Sequence, residues 1–98
     1  MAAGIAVKKF VMCYDIPEDR KRARLARLCE RYGVRVQYSV FECRLEESEF
    51  QRFWDLLLAE IDPGEDRLVA YKIDARCARE TKTAGRMVCP DKVLCYLV

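Results

Sequence analysis

The stretch from Phe10 to Pro17 constrains the fold more than any other part of the chain, because an apolar run ends there in a single carboxylate. Residues 10–14 are apolar or aromatic, and Asp15 follows them directly. A short apolar run bounded by a turn signal predicts a strand that is buried on both faces. Aspartate is uncommon in strands, and its charge is costly to bury without a partner. We therefore expect Asp15 at the end of this strand, at the rim of a sheet.

The position of Asp15 is compatible with two roles. In the first, the carboxylate only forms a turn, by accepting a hydrogen bond from a backbone N–H in the first turn of the helix that follows. In the second, the carboxylate is a reactive or metal-binding group presented at the edge of the sheet. The position alone does not decide between these roles.

Length and composition indicate one small folded domain over residues 1–98. The chain is 52% hydrophobic and 35% charged, which is typical of a globular protein and not of a disordered one. No stretch approaches the ~20 apolar residues that a membrane span needs, and the apolar first seven residues are too few for a signal peptide. We expect a cytoplasmic protein with no membrane partner, in a reducing compartment.

The chain has six cysteines and no histidine, and this restricts its chemistry. The cysteines form no Cys-x-x-Cys pair, so a structural zinc site is not expected. The lack of histidine excludes Ser–His and Cys–His nucleophiles and ribonucleases that use histidine as acid and base. A hydrolase built from this sequence would need carboxylates, and with them a metal ion.

The order of predicted elements is strand, helix, two strands, helix and strand, at residues 5–15, 17–32, 34–38, 40–45, from about 46, and 67–73. Pro17 suits the first position of the first helix, and Gly33 suits its end. A tight reversal is expected near Ser39, and Ser48 with Gln51 forms a potential capping box for the second helix. Residues 75–86 are basic and are predicted to be irregular.

This order predicts an α+β fold, a ferredoxin-like βαββαβ sandwich with two helices on one face of an antiparallel sheet. Apolar residues recur at helical spacing on both helices and should form the core, at Leu25, Leu28, Cys29 and Tyr32 and at Phe50, Phe53, Trp54, Leu57 and Ile61. The tail at about 85–98 ends on six apolar residues and predicts an extra C-terminal strand. A second copy of the chain would cover that strand, so a homodimer is expected.

The first helix carries six basic side chains within residues 20–31. Arg20, Arg24, Arg27 and Arg31 follow one another at helical spacing, so they form a stripe along the helix. Residues 1–41 carry nine Lys/Arg against four Asp/Glu, a net charge of +5, whereas residues 42–66 carry two against nine, a net charge of −7. Such a basic stripe is either a solvated exterior or a surface that contacts phosphates.

Three groups of residues resemble the small nuclease family of CRISPR adaptation, Cas2. They are Tyr14-Asp15-Ile16, then Asp19, Arg22 and Arg24 on the first helix, and then the run from Gly33 to Cys43. The resemblance covers the whole chain by the order of its elements and is sharpest over residues 10–45.

The resemblance implies a homodimer in which Asp15 of each protomer faces its mate and binds magnesium as the catalytic and metal-binding residue. Some members of the family cut single-stranded RNA, and others cut double-stranded DNA. In adaptation the dimer bridges two dimers of the CRISPR integrase and holds the DNA to be inserted as a spacer. The tail resembles the last strand of the family, which pairs with the sheet of the other protomer.

The resemblance also places Arg22, Arg24, Arg35 and Phe41 at motif positions linked to nuclease function. Hard oxygen ligands without histidine or cysteine suit magnesium or manganese. The arginines predicted to bind nucleic acid, which is DNA or RNA, are Arg20, Arg22, Arg24, Arg27, Arg31 and Arg35. The predicted supporting residues are Tyr14, Ser39 and Phe41.

Other functions remain open beside a metal-dependent endonuclease. The dimer could be a non-catalytic DNA-binding scaffold of the integration complex, because a scaffold needs the same basic faces. A related toxin-like small ribonuclease is a further alternative. An RNA-binding sheet of the RRM type is not expected, because residues 40–43 lack the basic-Gly-aromatic signature of that module.

Overall fold

A computed structural model of the protein describes residues 6–85, which form one four-stranded sheet and three helices. The order of the elements over the first 73 residues is the one predicted from the sequence. Their bounds are β1 Val7–Asp15, α1 Asp19–Tyr32, β2 Gly33–Gln37, β3 Val40–Glu46, α2 Glu47–Leu58, β4 Arg67–Ile73 and α3 Ala75–Arg79. Within this part of the chain no helix is long and apolar enough to cross a membrane.

The strands lie in the order β2-β3-β1-β4, and every neighbouring pair is antiparallel. Met12 of β1 lies opposite Phe41 of β3 and opposite Ala70 of β4. Side chains directly opposite each other share a face of the sheet, so this row points toward the helices. The predicted ferredoxin-like α+β fold is confirmed by this topology.

The core lies between the sheet and the two long helices. Phe10, Met12 and Tyr14 of β1 are buried, and they belong to one cluster with Leu25 of α1 and Phe53 of α2. The full set of predicted core residues on both helices lies in this cluster or packs against it, including Leu28, Cys29, Tyr32, Phe50, Trp54, Leu57 and Ile61. The two helical stripes are therefore confirmed as core.

The other face of β1 is not covered in the same way. Val11 and Cys13 alternate with the buried residues and are only half-buried, and Asp15 is exposed. The prediction that β1 is buried on both faces is therefore wrong for a single protomer. The alternation of a strand places every second side chain on the face away from α1 and α2.

Helix α1 begins two residues later than predicted. Pro17 precedes the helix, and Glu18 is the N-cap, whose carboxylate accepts hydrogen bonds from the backbone N–H groups of Arg20 and Lys21 at 2.6 and 3.3 Å. These bonds satisfy donors of the first turn, which have no partner inside the helix. The prediction that Pro17 is the first helical residue is wrong for this reason.

The capping of α2 also differs from the prediction. The carboxylate of Glu49 accepts a hydrogen bond from the backbone N–H of Glu46 at 3.2 Å, so the capping box uses Glu46 and Glu49. Ser48 and Gln51 lie inside the helix, two residues too late to cap it, and Gln51 bonds Asp55 at 3.0 Å instead.

The basic segment that starts at residue 75 is not wholly irregular. Ala75–Arg79 forms the short helix α3, and the carboxylate of Asp74 caps it by accepting from the backbone N–H of Cys77 at 2.8 Å. The predicted tail strand and its pairing with a partner fall on residues 86–98, outside the described part of the chain.

Gly33 opens β2 in an extended conformation, with φ −162°. A Cβ at this position would lie 2.3 Å from the carbonyl oxygen of Glu42 and 2.7 Å from the sulfur of Cys43. Glycine is therefore required here because β3 approaches its backbone closely, whereas the sequence interpretation treated it only as a helix terminator.

We predict that Gly33→Ala lowers the free energy of unfolding by about 1–3 kcal/mol, because the added methyl group overpacks the contact with β3. Gly64→Ala is the matched control, since a Cβ there would have its nearest neighbour at an ordinary 3.4 Å. Urea unfolding of both variants measures the difference. Equal midpoints for the two variants would contradict the prediction.

Candidate functional site

Asp15 is the last residue of β1, and its side chain is exposed on the face of the sheet away from α1 and α2. Arg67, the first residue of β4, lies opposite it in the ladder. Within residues 6–85 no hydrogen bond or ion pair to the carboxylate of Asp15 is found. The turn-forming role is filled by Glu18, which caps α1. Asp15 thus has no structural task in the described part of the chain.

The segment after Asp15 is held in place by the burial of Ile16 and by bonds from Arg22. Ile16 is buried, and its carbonyl oxygen accepts a hydrogen bond from Nη1 of Arg22 at 2.9 Å. The same guanidinium contacts the carbonyl oxygen of Pro17 at 3.4 Å and the carboxylate of Asp19. Arg22 therefore fixes the backbone that presents Asp15.

A second set of bonds fixes the loop that leads into β4. Nζ of Lys21 lies 2.7 Å from Oδ2 of Asp66, and the same oxygen accepts from the backbone N–H of Asp62 at 2.7 Å. These bonds lower the pKa of the Asp66 carboxyl, the backbone bond from Asp62 contributing most and Lys21 next. Because Asp66 precedes Arg67, the network sets the position of the residue opposite Asp15.

The described residues do not by themselves hold a metal ion. Among them no group of three or more histidine, cysteine, aspartate or glutamate side chains is arranged to bind one. Asp15 supplies one carboxylate, which is the ligand type that magnesium prefers, but magnesium is six-coordinate and usually takes one or two carboxylates with water and phosphate oxygens. A magnesium site at Asp15 would need ligands from outside this part of the chain.

The predicted nucleic-acid-binding arginines of α1 differ in how far their charges are neutralised. Arg22 is bonded to Asp19, and Nε of Arg24 lies 3.3 Å from Oε1 of Glu60. Arg20, Arg27 and Arg31 are exposed, and none of them forms an ion pair with another residue in 6–85. The helical spacing does not distinguish these two sets, because the partners of Arg22 and Arg24 are set by the fold.

The three arginines of the later turns of α1 share a groove with the outer side of α2. The groove has a volume of about 450 Å³ and is lined by Arg24, Arg27, Leu28, Arg31, Leu56, Ala59 and Glu60. The groove therefore combines two arginines that have no acidic partner in residues 6–85 with the apolar side chains of Leu28 and Leu56.

The sixth predicted arginine, Arg35, lies apart from the α1 stripe on the edge strand β2. Its guanidinium carbon is 5.3 Å from the centroid of the Phe41 ring and 6.0 Å from that of Tyr38. Phe41 and Tyr14 are buried, and Ser39 contributes its carbonyl oxygen, which accepts from the backbone N–H of Tyr14 at 3.2 Å. Phe41 and Tyr14 thus lie next to Arg35, and Ser39 is joined to Tyr14 by its backbone.

The predicted site is divided between the two faces of the sheet. Arg35 lies opposite Phe41, which lies opposite Met12, so Arg35 belongs to the face that packs on the helices. Asp15 follows the buried Tyr14 and lies on the opposite face. A cleft of about 220 Å³ brings together Tyr14, Asp19, Arg22, Ala23, Ala26, Arg35 and Tyr38 but does not include Asp15.

Two features of the surface were missed by the sequence interpretation. Tyr38 is 70% exposed in the turn between β2 and β3, although it was read as part of a strand. Val69 and Tyr71 of β4 are 41% and 56% exposed on the face that carries Asp15. The alternation of the strand sequence could have indicated this apolar face, but which side the helices cover could not be read from it.

Comparison with known proteins relates the chain to one family. The model of the family described as CRISPR associated protein Cas2 matches residues 8–81. A CRISPR-associated endoribonuclease Cas2 of Synechocystis sp. is 47% identical over 76 residues, which are 78% of this chain and 83% of the relative.

Solved structures agree with this match. Cas2 of Streptococcus pyogenes has a TM-score of 0.70 at 30% identity and covers 79% of this chain and 99% of its own. A chain from a partial Cas6-RT-Cas1–Cas2 complex has a TM-score of 0.61 at 27% identity, covering 78% of this chain and 89% of its own. With the ferredoxin-like topology and the exposed carboxylate at the end of β1, these matches show that the chain belongs to the CRISPR-associated Cas2 family.

Proposed function

We propose that this chain is a metal-dependent endonuclease of CRISPR adaptation that cleaves phosphodiester bonds in single-stranded RNA or double-stranded DNA. The observation that carries the proposal is the exposed carboxylate of Asp15, which has no partner within residues 6–85 and lies at a strand end whose backbone is held by Arg22. The names of curated relatives, which are endoribonucleases and an endonuclease, support the same reaction class.

The active form is proposed to be a homodimer. Val69 and Tyr71 leave an apolar surface next to Asp15, and burying such a surface against a second copy is favourable. A twofold axis through this face would bring two copies of Asp15 toward each other. The dimer would supply the second carboxylate that one protomer lacks.

A magnesium or manganese ion held by the two Asp15 carboxylates would polarise the phosphate and lower the pKa of a bound water. The chain itself contributes the rest of the arrangement. Arg22 keeps the backbone after Asp15 fixed, so the carboxylate is oriented before substrate binds. The uncompensated arginines of α1 attract the phosphate backbone and hold it near the protein.

The biological partner is proposed to be the CRISPR integrase, whose dimers this homodimer would bridge while it holds DNA for insertion. The structural neighbour from a complex that contains Cas1 supports this partnership. Holding DNA in the integration complex, without cleavage, is the second candidate function. The single carboxylate and the lack of a ligand cluster in residues 6–85 favour it. The cytoplasmic location stays a prediction.

We predict that Asp15→Asn abolishes cleavage and leaves nucleic-acid affinity intact, because asparagine keeps the shape but loses the charge that holds a cation. Mutation of residues that only orient a metal ligand already lowers activity by roughly 10–100-fold, so loss of a direct ligand should lower it by about 100-fold or more. Cleavage in magnesium and binding to duplex DNA measure the two effects, with Asp55→Asn on the exposed side of α2 as the control. Undiminished cleavage by the Asp15 variant would contradict the proposed metal-binding role of this carboxylate, whereas DNA binding without cleavage by the wild type would favour the scaffold function.

We predict that Val69→Glu converts the homodimer to a monomer, because a charge would be buried in the proposed interface. Leu56→Glu is the matched control, since Leu56 is similarly exposed, at 45%, but lies on α2 on the other side of the molecule. Sedimentation equilibrium measures the mass of each variant, and thermal melts check that both fold. A dimeric Val69 variant, or a monomeric wild type, would refute the proposed interface.

We predict that replacing both Arg27 and Arg31 with glutamine weakens binding to duplex DNA and reduces its salt dependence. Each lost phosphate contact should make the log–log slope less steep by about 0.9, and the pair by about 1.8. Arg52→Gln, an exposed arginine of α2, is the control and should leave the slope unchanged. The same slope for the double variant and the wild type would show that the stripe is only a solvated exterior.

A further inference from the structure

We propose that Tyr38 and Arg35 form a subsite for one nucleotide with an unpaired base, on the opposite face of the sheet from Asp15. The guanidinium of Arg35 would bind the phosphate, and the ring of Tyr38 would stack on the base. The inference rests on the proposed binding of nucleic acid and adds a second, separate contact to it.

Arg35 is the uncompensated charge of this cleft. Arg22, the other cation of the cleft, already bonds the carboxylate of Asp19 and two backbone carbonyls. Arg35 is exposed and forms no ion pair with a carboxylate of residues 6–85. A guanidinium in this state can bind two phosphate oxygens at once.

The rings around Arg35 fix its orientation. Phe41 is fully buried beneath it, with 5.3 Å between the guanidinium carbon and the ring centroid. A guanidinium held over a buried ring loses little freedom when it binds a ligand. Burial raises the pKa of the Tyr14 hydroxyl, and nearby Arg35 partly offsets this, so Tyr14 stays neutral beside the guanidinium.

Tyr38 supplies the flat surface that a base would need. Its ring is 70% exposed, and it lies 6.0 Å from the guanidinium carbon of Arg35, so phosphate and base contacts would be adjacent. An aromatic side chain stacks on any base, and such stacking is worth about 1–3 kcal/mol per base. Within a duplex the faces of the bases are already stacked, so Tyr38 selects single strands and duplex ends.

The subsite lies at the same end of the sheet as Asp15. The hydrogen bond from the backbone N–H of Tyr14 to the carbonyl of Ser39 joins the turn that carries Tyr38 to the residue before Asp15. A nucleic-acid strand bound at Tyr38 therefore passes close to the rim of the sheet where Asp15 lies. The two sites can engage one polynucleotide that passes around the end of the sheet.

The test compares Tyr38→Leu, which removes the ring, with Tyr38→Phe, which keeps it, in the full chain. The probes are a short single strand with a fluorescent adenine analogue and a closed duplex without free ends. Tyr38→Leu should weaken single-strand binding by about 5- to 150-fold, the equivalent of one stacked base, and should abolish quenching of the analogue. Tyr38→Phe should match the wild type on both probes, and the closed duplex should bind all three proteins equally.

Arg35→Lys provides a second variant, because lysine keeps the charge but not the planar group. It should weaken single-strand binding and leave the binding of the closed duplex nearly unchanged. If Tyr38→Leu lowers the affinity for both probes equally, or lowers neither, the proposed subsite is wrong, but the proposed function is not affected. Failure of the wild type to bind either probe overturns both the subsite and the proposed binding of nucleic acid.

Discussion

The structure depends first on the way in which β1 divides its side chains between the two faces of the sheet. β1 pairs with both β3 and β4, so its alternation sets that of its neighbours. On one face Phe10 stacks on Phe50 of α2 with 3.9 Å between the ring centroids, and Met12 is fully buried. On the other face the helices leave Val11 and Cys13 only half-buried. A shift of one residue in the pairing register of β1 would turn its buried side chains to the other face of the sheet and expose the core.

This division also places the two groups of proposed functional residues on different faces of the sheet. The carboxylate proposed to act in cleavage lies on the uncovered face, whereas Arg35 and its aromatic neighbours lie on the helix face. On the same face, which α1 and α2 do not cover, and nearer the start of β1, Nζ of Lys9 is 3.0 Å from Oε1 of Glu42, and both side chains are largely buried. A buried pair of charges adds little net stability, but it disfavours arrangements in which either charge would lack its partner.

The fold also determines which basic side chains remain able to bind a ligand. Arg22 and Arg27 both belong to the basic helix, but Arg22 is bonded to two carbonyls and Asp19, whereas Arg27 has no acidic partner in residues 6–85. The side chain of Arg22 therefore stabilises the backbone near Asp15 and has little charge left for phosphate. The resemblance to the family placed Arg22 at a motif position linked to nuclease function. Its bonds to the backbone near Asp15 explain that position as well as a contact with substrate would.

The sequence by itself determined the elements up to residue 73, because their signals are local: hydrophobic periods of two and 3.6 residues, a reversal near Ser39 and the apolar run that stops at Asp15. It also determined that Asp15 lies at the rim of the sheet. The helix caps were less predictable, because several residues near each helix start are suited to that position. The sequence favoured Pro17 as the first residue of α1 and Ser48 as the cap of α2, whereas the N-caps are Glu18 and Glu46. Only the tertiary structure decided which face of β1 the helices cover, which arginines find acidic partners, and that Asp15 and Arg35 lie on opposite faces. These facts depend on contacts between residues far apart in the chain, such as Arg24 with Glu60 and Lys21 with Asp66, which no local pattern specifies.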